Sequence, residues 1–442
     1  MTKTVLVIGG SDSGGGAGIA ADLKTLAALG VHGACAITAV TAQNTLGVDL
    51  VFPLPPEFVE RQIDAVLQDM EIEWAKTGML WSSKIIEGVR RKLMRHRVKV
   101  VVDPVTVSAT GHPLMERDAK EELWKLVRYC ELVTPNIREA EMLSGVRIKS
   151  PDEMRRAGRE IVKGGAKAVL IKGGHLAGKT SVDLLVTREG VFELEGERIP
   201  SEPLHGTGCS LASAITAGLS AGMDLKRAVV EAKRFIELAI KFRISPGRGV
   251  KPVNPMAGLM LESEKYRCLE EVRRAAELLC GSGKFADLIP EVGTNIVMAL
   301  PEARSPSEVV GLSGRIVRSG KMPHLSGPPT LGGSEHVARV VLTAMMHNPE
   351  IRAGMNIRFS DRVIGACRRI GLPVSSFDRA REPPGTSTME WGTQQAIKKL
   401  GRVPSVIFDR GGVGKEAMVR LLGRSALEVA GLALRIAEEL KN

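Results

Sequence analysis

The sequence predicts an α/β protein of two domains, the first built on a mostly parallel sheet with helices on both faces. Three observations carry this. Over the first ~250 residues, short runs that are apolar throughout alternate with amphipathic helical stretches, the pattern of strands buried on both faces. The chain has 442 residues, more than the ~250–300 at which single cores stop growing. A turn-rich break, Arg243–Gly249 followed by Pro252–Val253–Asn254–Pro255, separates a second segment of different organisation. This places the first domain at residues 1–255, a linker at 256–264 and the second domain at 265–442.

Taken in order, Val5–Ile8 reads as a strand, Ala17–Leu29 as a helix, Ala34–Val40 as a strand and Pro56–Asp69 as a helix. Glu73–Thr77 leads to a short strand end, and Ser83–Arg97 is a helix decorated with basic residues. Lys99–Asp103, Leu132–Thr134, Ala168–Ile171 and Ser181–Val186 complete the strands. Leu114–Tyr129, Arg138–Leu143, Pro151–Gly164 and Cys209–Ala221 complete the helices. Ligands of such sheets bind beyond the carboxyl ends of the strands. The glycine run 9–18, Thr77–Gly78–Met79, Asp103–Pro104, Thr134–Pro135–Asn136 and Lys172–Gly173–Gly174–His175 all fall at strand ends, so they are expected to line one crevice. Beyond the break an amphipathic helix runs from Glu264 to Leu279. Strand candidates follow at Asn295–Leu300 and Gly314–Arg318, and helices at Glu335–His347, Arg362–Ile370 and Met418–Leu440. Ala353–Phe359, Val374–Phe377, Thr388–Leu400 and Val406–Phe408 supply further elements of the same α/β character.

Composition narrows the function. The net charge is +11 and aromatic residues make up only 3%. The basic residues are scattered along helices such as Ile85–Arg97 and no aromatics are interleaved with them, which argues against nucleic acid; anionic small substrates account for the excess. The six cysteines show no CxxC spacing and read mostly as small buried hydrophobes in a reducing compartment. Met1–Thr2–Lys3–Thr4 runs directly into the first strand, which argues against a signal peptide, and no apolar run approaches the ~20 residues of a membrane span. A cytoplasmic protein is expected. Small helical faces leave room for a homo-dimer.

Two glycine loops concentrate the chemistry. Gly9–Gly10–Ser11–Asp12–Ser13–Gly14–Gly15–Gly16–Ala17–Gly18 follows the first strand. Leu204–His205–Gly206–Thr207–Gly208–Cys209–Ser210 opens directly into a helix of small residues. Gly206, Thr207 and Gly208 free the backbone to wrap an anion at that helix start. Cys209 falls in the first turn, where a thiol of reference pKa ~8.5 is expected to titrate lower and to serve as a general base. The competing reading is a packed cysteine beside Leu211.

These blocks carry a resemblance. Gly9–Thr25, Thr38–Thr45, Val101–Val105, Thr134–Ala140, Lys172–His175 and His205–Cys209 are together similar to the hydroxymethylpyrimidine and phosphomethylpyrimidine kinase of thiamine biosynthesis, a ribokinase-like enzyme. Relatives in the wider fold usually carry aspartate as the base, and a cysteine points to the pyrimidine branch. The resemblance implies that Gln43 pairs with the aminopyrimidine edge, that Gly10, Ala17 and Asp22 form the same pocket, and that Met79 closes over the ring. Gln43 as a surface residue and Met79 as core remain the alternatives. It also implies that Asp103, Asn136 and Glu139 organise Mg2+ and the phosphates of ATP, with Asp103 and Glu139 nearest the metal, and that Lys172 lies over the transferring group. After Val105 the chain reads Thr106–Val107–Ser108–Ala109–Thr110–Gly111, where many relatives have a lysine or a second serine before the glycine, so phosphate contact there is expected to be weaker or to shift to backbone groups.

Following the kinase-like segment, the blocks Glu291–Val292–Gly293–Thr294–Asn295, Gly314–Arg315–Ile316–Val317–Arg318, Gly332–Gly333–Ser334–Glu335–His336, Asn356–Ile357–Arg358–Phe359–Ser360 and Phe408–Asp409–Arg410–Gly411–Gly412 make residues ~265–442 resemble the non-barrel thiamine-phosphate synthase domain fused to this kinase in some archaea and thermophilic bacteria. That implies condensation of hydroxymethylpyrimidine diphosphate with hydroxyethylthiazole phosphate. The expected catalytic pair is Arg315 and His336. Arg318, His324, Asn356, Arg358, Ser360 and Asp378 are candidates for phosphate contact, and Asp409 for metal. A surface histidine and a solvated arginine are the competing readings of the pair. Gly414–Lys415 is no P-loop, because the upstream glycine spacing is missing and Glu416 stands where Ser or Thr would reach Mg2+. A pyridoxal-type vitamin kinase, or a pyrimidine kinase joined to a non-catalytic thiamine-phosphate sensor, are the rival functions.

Overall fold

The computed structural model describes residues 2–174, 180–197, 204–412 and 414–441; His175, the end of one motif above, lies outside them. By its internal contacts the chain divides into two units, Met1–Leu259 and Met260–Asn442. The segment 256–264, expected as a linker, is helical from Ala257 onward.

The first unit runs β1 (Thr4–Asp12), α1 (Gly18–Ala28), β2 (His32–Asn44), β3 (Gly47–Pro53), α2 (Pro56–Asp69), β4 (Trp74–Thr77), α3 (Ser83–Arg95), β5 (Lys99–Val102), α4 (Lys120–Tyr129) and β6 (Leu132–Val133). It continues through α5 (Ile137–Ser144), α6 (Pro151–Lys163), β7 (Ala168–Ile171), β8 (Thr180–Thr187), β9 (Val191–Glu197), β10 (Leu204–His205), α7 (Thr207–Ser220), α8 (Leu225–Lys241) and β11 (Lys251–Pro252), and α9 (Ala257–Cys280) follows. Among the described residues the main sheet has nine strands in the order β3-β2-β1-β4-β5-β6-β7-β8-β9. Its body from β2 to β7 is parallel, as predicted, and β3, β8 and β9 extend it antiparallel. The alternation of β1 explains both covered faces. Leu6 and Ile8 join Ile63, Ile86, Leu93 and Leu126 of α2–α4, while Val5 and Val7 join Leu26 of α1, Ile215 of α7 and Val229 of α8.

Two helices differ from expectation. α4 starts at Lys120 rather than Leu114, because the preceding stretch is taken up by a 3-10 turn and irregular chain. α8 had no counterpart in the reading above, although Asp224 caps it. α7 buries almost only alanine, serine and threonine apart from Leu211, Ile215 and Leu219, so it lies close to α1 and the sheet and delivers its N-terminus to the strand ends.

The second unit runs β12 (Ile296–Ala299), β13 (Val309–Leu312), β14 (Ile316–Ser319), β15 (Met322–Leu325), β16 (Pro329–Leu331), α10 (Glu335–His347), β17 (Ala353–Arg358), α11 (Asp361–Arg369), β18 (Val374–Ser376), α12 (Thr388–Leu400), β19 (Val406–Asp409), β20 (Met418–Gly423) and α13 (Ala426–Glu439). Its described sheet, β16-β13-β12-β17-β20-β19-β18, is antiparallel except for the β18–β19 pair, and β14 and β15 form a separate hairpin. Gly354 lets α10 approach, since a Cβ there would stand 2.9 Å from Val341. The single helix expected over Met418–Leu440 is instead the buried strand β20 followed by α13, restarted at Ser425, whose hydroxyl accepts the Glu428 N–H. Among the described residues no helix is long and apolar enough to cross a membrane.

Candidate functional site

In the first unit the two glycine loops meet. Asp12 ends β1 and folds the first loop onto itself: Oδ1 accepts the Gly14 N–H at 2.8 Å, and Oδ2 accepts those of Gly16 and Ala17 at 3.0 and 2.8 Å. Burial opposes its charge, but the bonds from His205, Ala17 and Gly14 outweigh it and hold the carboxyl below its ordinary pKa. Glycine is required where the loops touch. Gly18 has φ +55° and Gly206 φ +81°, and Cβ atoms there would stand 2.3 Å from the Gly10 oxygen and 2.1 Å from the Gly16 oxygen. His205 Nε2 lies 3.2 Å from Asp12 Oδ2 and 2.8 Å from the terminal amide of Gln43. One ring N–H serves both partners when the Gln43 carbonyl oxygen, rather than its NH2, faces the ring. Met79 approaches from β4, its Sδ 2.8 Å from where a Gly10 Cβ would stand. Gly10, Ala17, Gln43 and Met79 are thus gathered around the first loop.

The other end of the site lies at the start of α7. Lys172 Nζ donates to Asp103 Oδ1 at 3.1 Å, and a Cβ at Gly208 would lie 3.1 Å from Lys172 Nζ and 3.4 Å from Asp103 Oδ2. Asn136 and Glu139 form the capping box of α5, each side chain accepting the other's N–H. Burial pushes the Glu139 carboxyl up to about 7, against the pull of Lys172. Among the described residues, the Thr207 hydroxyl is buried without a hydrogen-bond partner at the same helix start.

Cys209 stands where expected, but its acidity is reversed. Burial pushes the thiol up to about 11; Lys76 opposes this, while Asp22 and Asp103 add to it. Asp22 also departs from expectation. It is 1% exposed, with both oxygens on Lys76 Nζ at 3.0 and 2.9 Å and a third bond from Ser213 Oγ at 2.7 Å. It is an internal ion-pair partner rather than a pocket wall.

In the second unit Arg315 precedes β14. Its backbone N–H reaches Ser326 Oγ at 2.9 Å, its guanidinium donates to the Val292 oxygen, and Gly293 at φ +78° presses against its stem. His336 is exposed in the first turn of α10. Several other candidates are engaged in holding the fold. Asn356 Oδ1 accepts the Asn295 N–H and its Nδ2 donates to the Gly293 oxygen. Ser360 caps α11 through the Val363 N–H, and Asp378 accepts the Ala380 N–H. Arg318 bonds the Gly320 oxygen in the turn after β14, and Arg358 and His324 are exposed at β17 and β15. Asp409 is no open metal ligand. Its oxygens are taken by Arg379 at 2.6 and 3.3 Å, by Arg420 at 2.7 Å and by the Gly411 N–H at 2.8 Å.

A family model described as Phosphomethylpyrimidine kinase matches residues 12–254, and one described as Thiamine-phosphate synthase ThiN matches residues 271–435. The bifunctional thiamine biosynthesis protein ThiDN of Methanocaldococcus jannaschii is 37% identical over 427 residues, 96% of each chain. The chain belongs to this bifunctional family. It serves thiamine biosynthesis through a ribokinase-like pyrimidine kinase unit and a thiamine-phosphate synthase unit. The hydroxymethylpyrimidine/phosphomethylpyrimidine kinase of Rhizobium meliloti is 44% identical over 58% of this chain and 97% of its own. Among solved structures, an ADP complex of Bacillus subtilis pyridoxal kinase is 34% identical with a TM-score of 0.55, covering 59% of this chain and all of that one, 100%.

Sequence reading missed three features of this bifunctional enzyme. His205 lay inside a quoted motif, yet its bond to Gln43 comes from another strand. Lys76 sits in an apolar strand, and nothing in the sequence shows that Asp22 meets it. The Arg379–Asp409–Arg420 cluster joins residues from three segments, with Arg420 also lying over the Phe377 ring at 5.5 Å. Asp409→Ala would leave both guanidiniums unbalanced, Arg420 with only 5% of its side chain exposed. The expected cost is about 3–5 kcal/mol, read as a lower thermal transition of the synthase unit in the full chain; an unchanged transition contradicts it. Because Arg420 and Arg379 hold Asp409 below its ordinary pKa despite burial, this stabilisation is complete above the unfolded carboxylate range and is lost as pH falls through the folded pKa.

Proposed function

We propose that the first unit phosphorylates hydroxymethylpyrimidine and then its monophosphate with ATP, and that the second joins the diphosphate to hydroxyethylthiazole phosphate, releasing pyrophosphate. The observation that carries the kinase half is the meeting of Lys172, Asp103 and the Gly206–Cys209 turn at the start of α7. Gln43, Gly10, Ala17 and Met79 take the pyrimidine, with His205 fixing the Gln43 amide. The hydroxymethyl oxygen bonds to the γ-phosphorus as the bond to ADP breaks, and its proton passes to the Cys209 sulfur in thiolate form. Lys172 and the first-turn N–H groups of α7, with the Thr207 hydroxyl, hold the charge of the transferring group.

Magnesium fits this end of the site in one way. Among the described residues no three His, Cys, Asp or Glu side chains gather as a cage, but Mg2+ is commonly held by one or two carboxylates together with substrate phosphates. Asp103 Oδ2 faces the first turn of α7, and a cation would favour the ionised form of Glu139. Bound there, Mg2+ would neutralise phosphate charge. In the second unit Arg315 and His336 neutralise the departing pyrophosphate, and neither step calls for nucleic acid or a membrane.

The test uses the full chain with Mg-ATP and, in parallel, hydroxymethylpyrimidine, its monophosphate or pyridoxal, followed by thiazole phosphate. Turnover of both pyrimidines and formation of thiamine phosphate are expected. Faster turnover of pyridoxal would replace the pyrimidine reading. Tight thiamine-phosphate binding without condensation would make the second unit a sensor.

A further inference from the structure

Beneath the thiol lies a buried polar group that the phosphoryl transfer above does not use. Lys76 on β4 is 0% exposed and Asp22 on α1 is 1% exposed. Such a pair is costly to bury, and well-packed apolar residues of similar volume usually hold a fold as well or better. Its place is what distinguishes it. Ser213, which donates to Asp22 Oδ1 at 2.7 Å, stands four residues after Cys209 on α7, so both side chains lie on one helix face. Lys76 Nζ is also 3.0 Å from where a Gly78 Cβ would stand, which sets the ammonium against the strand end that carries Met79.

We propose that Lys76 is a positioning residue of the kinase reaction, its ammonium fixed by Asp22 and, through Ser213, to the turn of α7 below Cys209, where it supplies the positive charge against which that thiol gives up its proton. The charged groups around the thiol come from four places: Lys76 on β4, Asp22 on α1, Asp103 after β5 and Lys172 after β7. Asp103 and Lys172 pair with each other and face the transferring phosphate. Lys172 also acts on the thiol, but Lys76 is the first influence offsetting burial at that sulfur. Asp22 keeps Lys76 ionised despite its own burial. The inference rests on Cys209 as proton acceptor, which Cys209→Ala tests separately.

The deciding variant is the paired replacement Lys76→Met with Asp22→Leu in the full chain, which removes both charges and keeps the volume apolar. Because Lys76 acts on the thiol more strongly than Asp22 does, the expected result is a parent-like thermal transition, a several-fold lower kcat for hydroxymethylpyrimidine with KM within a few-fold, and slower alkylation of Cys209 by iodoacetamide at pH 8.5, followed on its peptide by mass spectrometry. Parent-like kcat and alkylation in the folded double variant overturn the proposal while leaving Cys209 as base. Ser213→Ala covers the case of a double variant that does not fold. It is expected to lower kcat several-fold at constant KM and to slow alkylation, and parent-like values for both likewise overturn the proposal.

Discussion

Cys209→Ala is expected to lower ATP-dependent phosphorylation of hydroxymethylpyrimidine by about 10²–10⁴-fold, the usual worth of a positioned general base, with the fold intact. The fold should survive because the site is lined by backbone and charged groups that do not need the sulfur. α7 is anchored by Leu211, Ile215 and its close alanine contacts, and Cys209 packs at its first turn rather than in its core. The pH dependence is the sharper test. The active form is the thiolate, and burial raises the thiol to about 11, so the reactive fraction grows as pH rises and is lost as pH falls. The kcat/KM of the parent enzyme should therefore climb from pH 7 towards pH 9, and the residual activity of Cys209→Ala should lack that limb. Equal turnover in parent and variant, or a parent profile flat over this range, would remove Cys209 as the base.

How far the sequence foretold this site follows from what each residue depends on. The glycine loops were legible because backbone conformation demanded their residues: only glycine suits the positive φ and near-contact approach of Gly18 and Gly206. Asp103 and Lys172 were legible as strand-end residues of one crevice to which the resemblance gave phosphate roles, and the fold pairs them directly. The thiol's acidity was not legible. A helix start argues for a lowered pKa, and the opposing effects of burial, Asp22 and Asp103 depend on packing between elements distant in the chain. β20 was misread because a short, mostly apolar run such as Met418–Leu422, interrupted only by Arg420, fits a strand or a buried helix equally well. The restart at Ser425 with Glu428 was the available signal, since Ser425 accepts the Glu428 N–H and Glu428 accepts the Arg424 N–H. α8 was readable in the same way, from Asp224 before the periodic Ala228, Val229, Ala232, Ile236 and Ala239.

In the synthase unit, Arg315→Ala is expected to lower thiamine-phosphate formation by about 10²–10³-fold, the loss seen when one preorganised donor to developing charge is removed. Pyrimidine phosphorylation should be unchanged. The guanidinium is held rather than waving: the Val292 oxygen binds one nitrogen, Gly293 packs its stem, and Ser326 fixes its backbone from both sides. Its exposed face is therefore presented in one orientation, which suits a departing pyrophosphate better than a mobile lysine would. Arg315→Lys should for that reason recover little of the lost activity. His336→Ala is expected to act in the same direction, because His336 lies in the first turn of α10, whose Ser334 N-cap makes no side-chain capping bond and leaves that turn's N–H groups to an anion. The two variants also separate enzyme from sensor. A sensing domain would lose product affinity with no condensation to lose, whereas a synthase loses rate in the presence of both phosphorylated substrates. Unaltered condensation in both Arg315→Ala and His336→Ala would move the chemistry elsewhere in the unit, with the Arg379–Asp409–Arg420 cluster the next place to look.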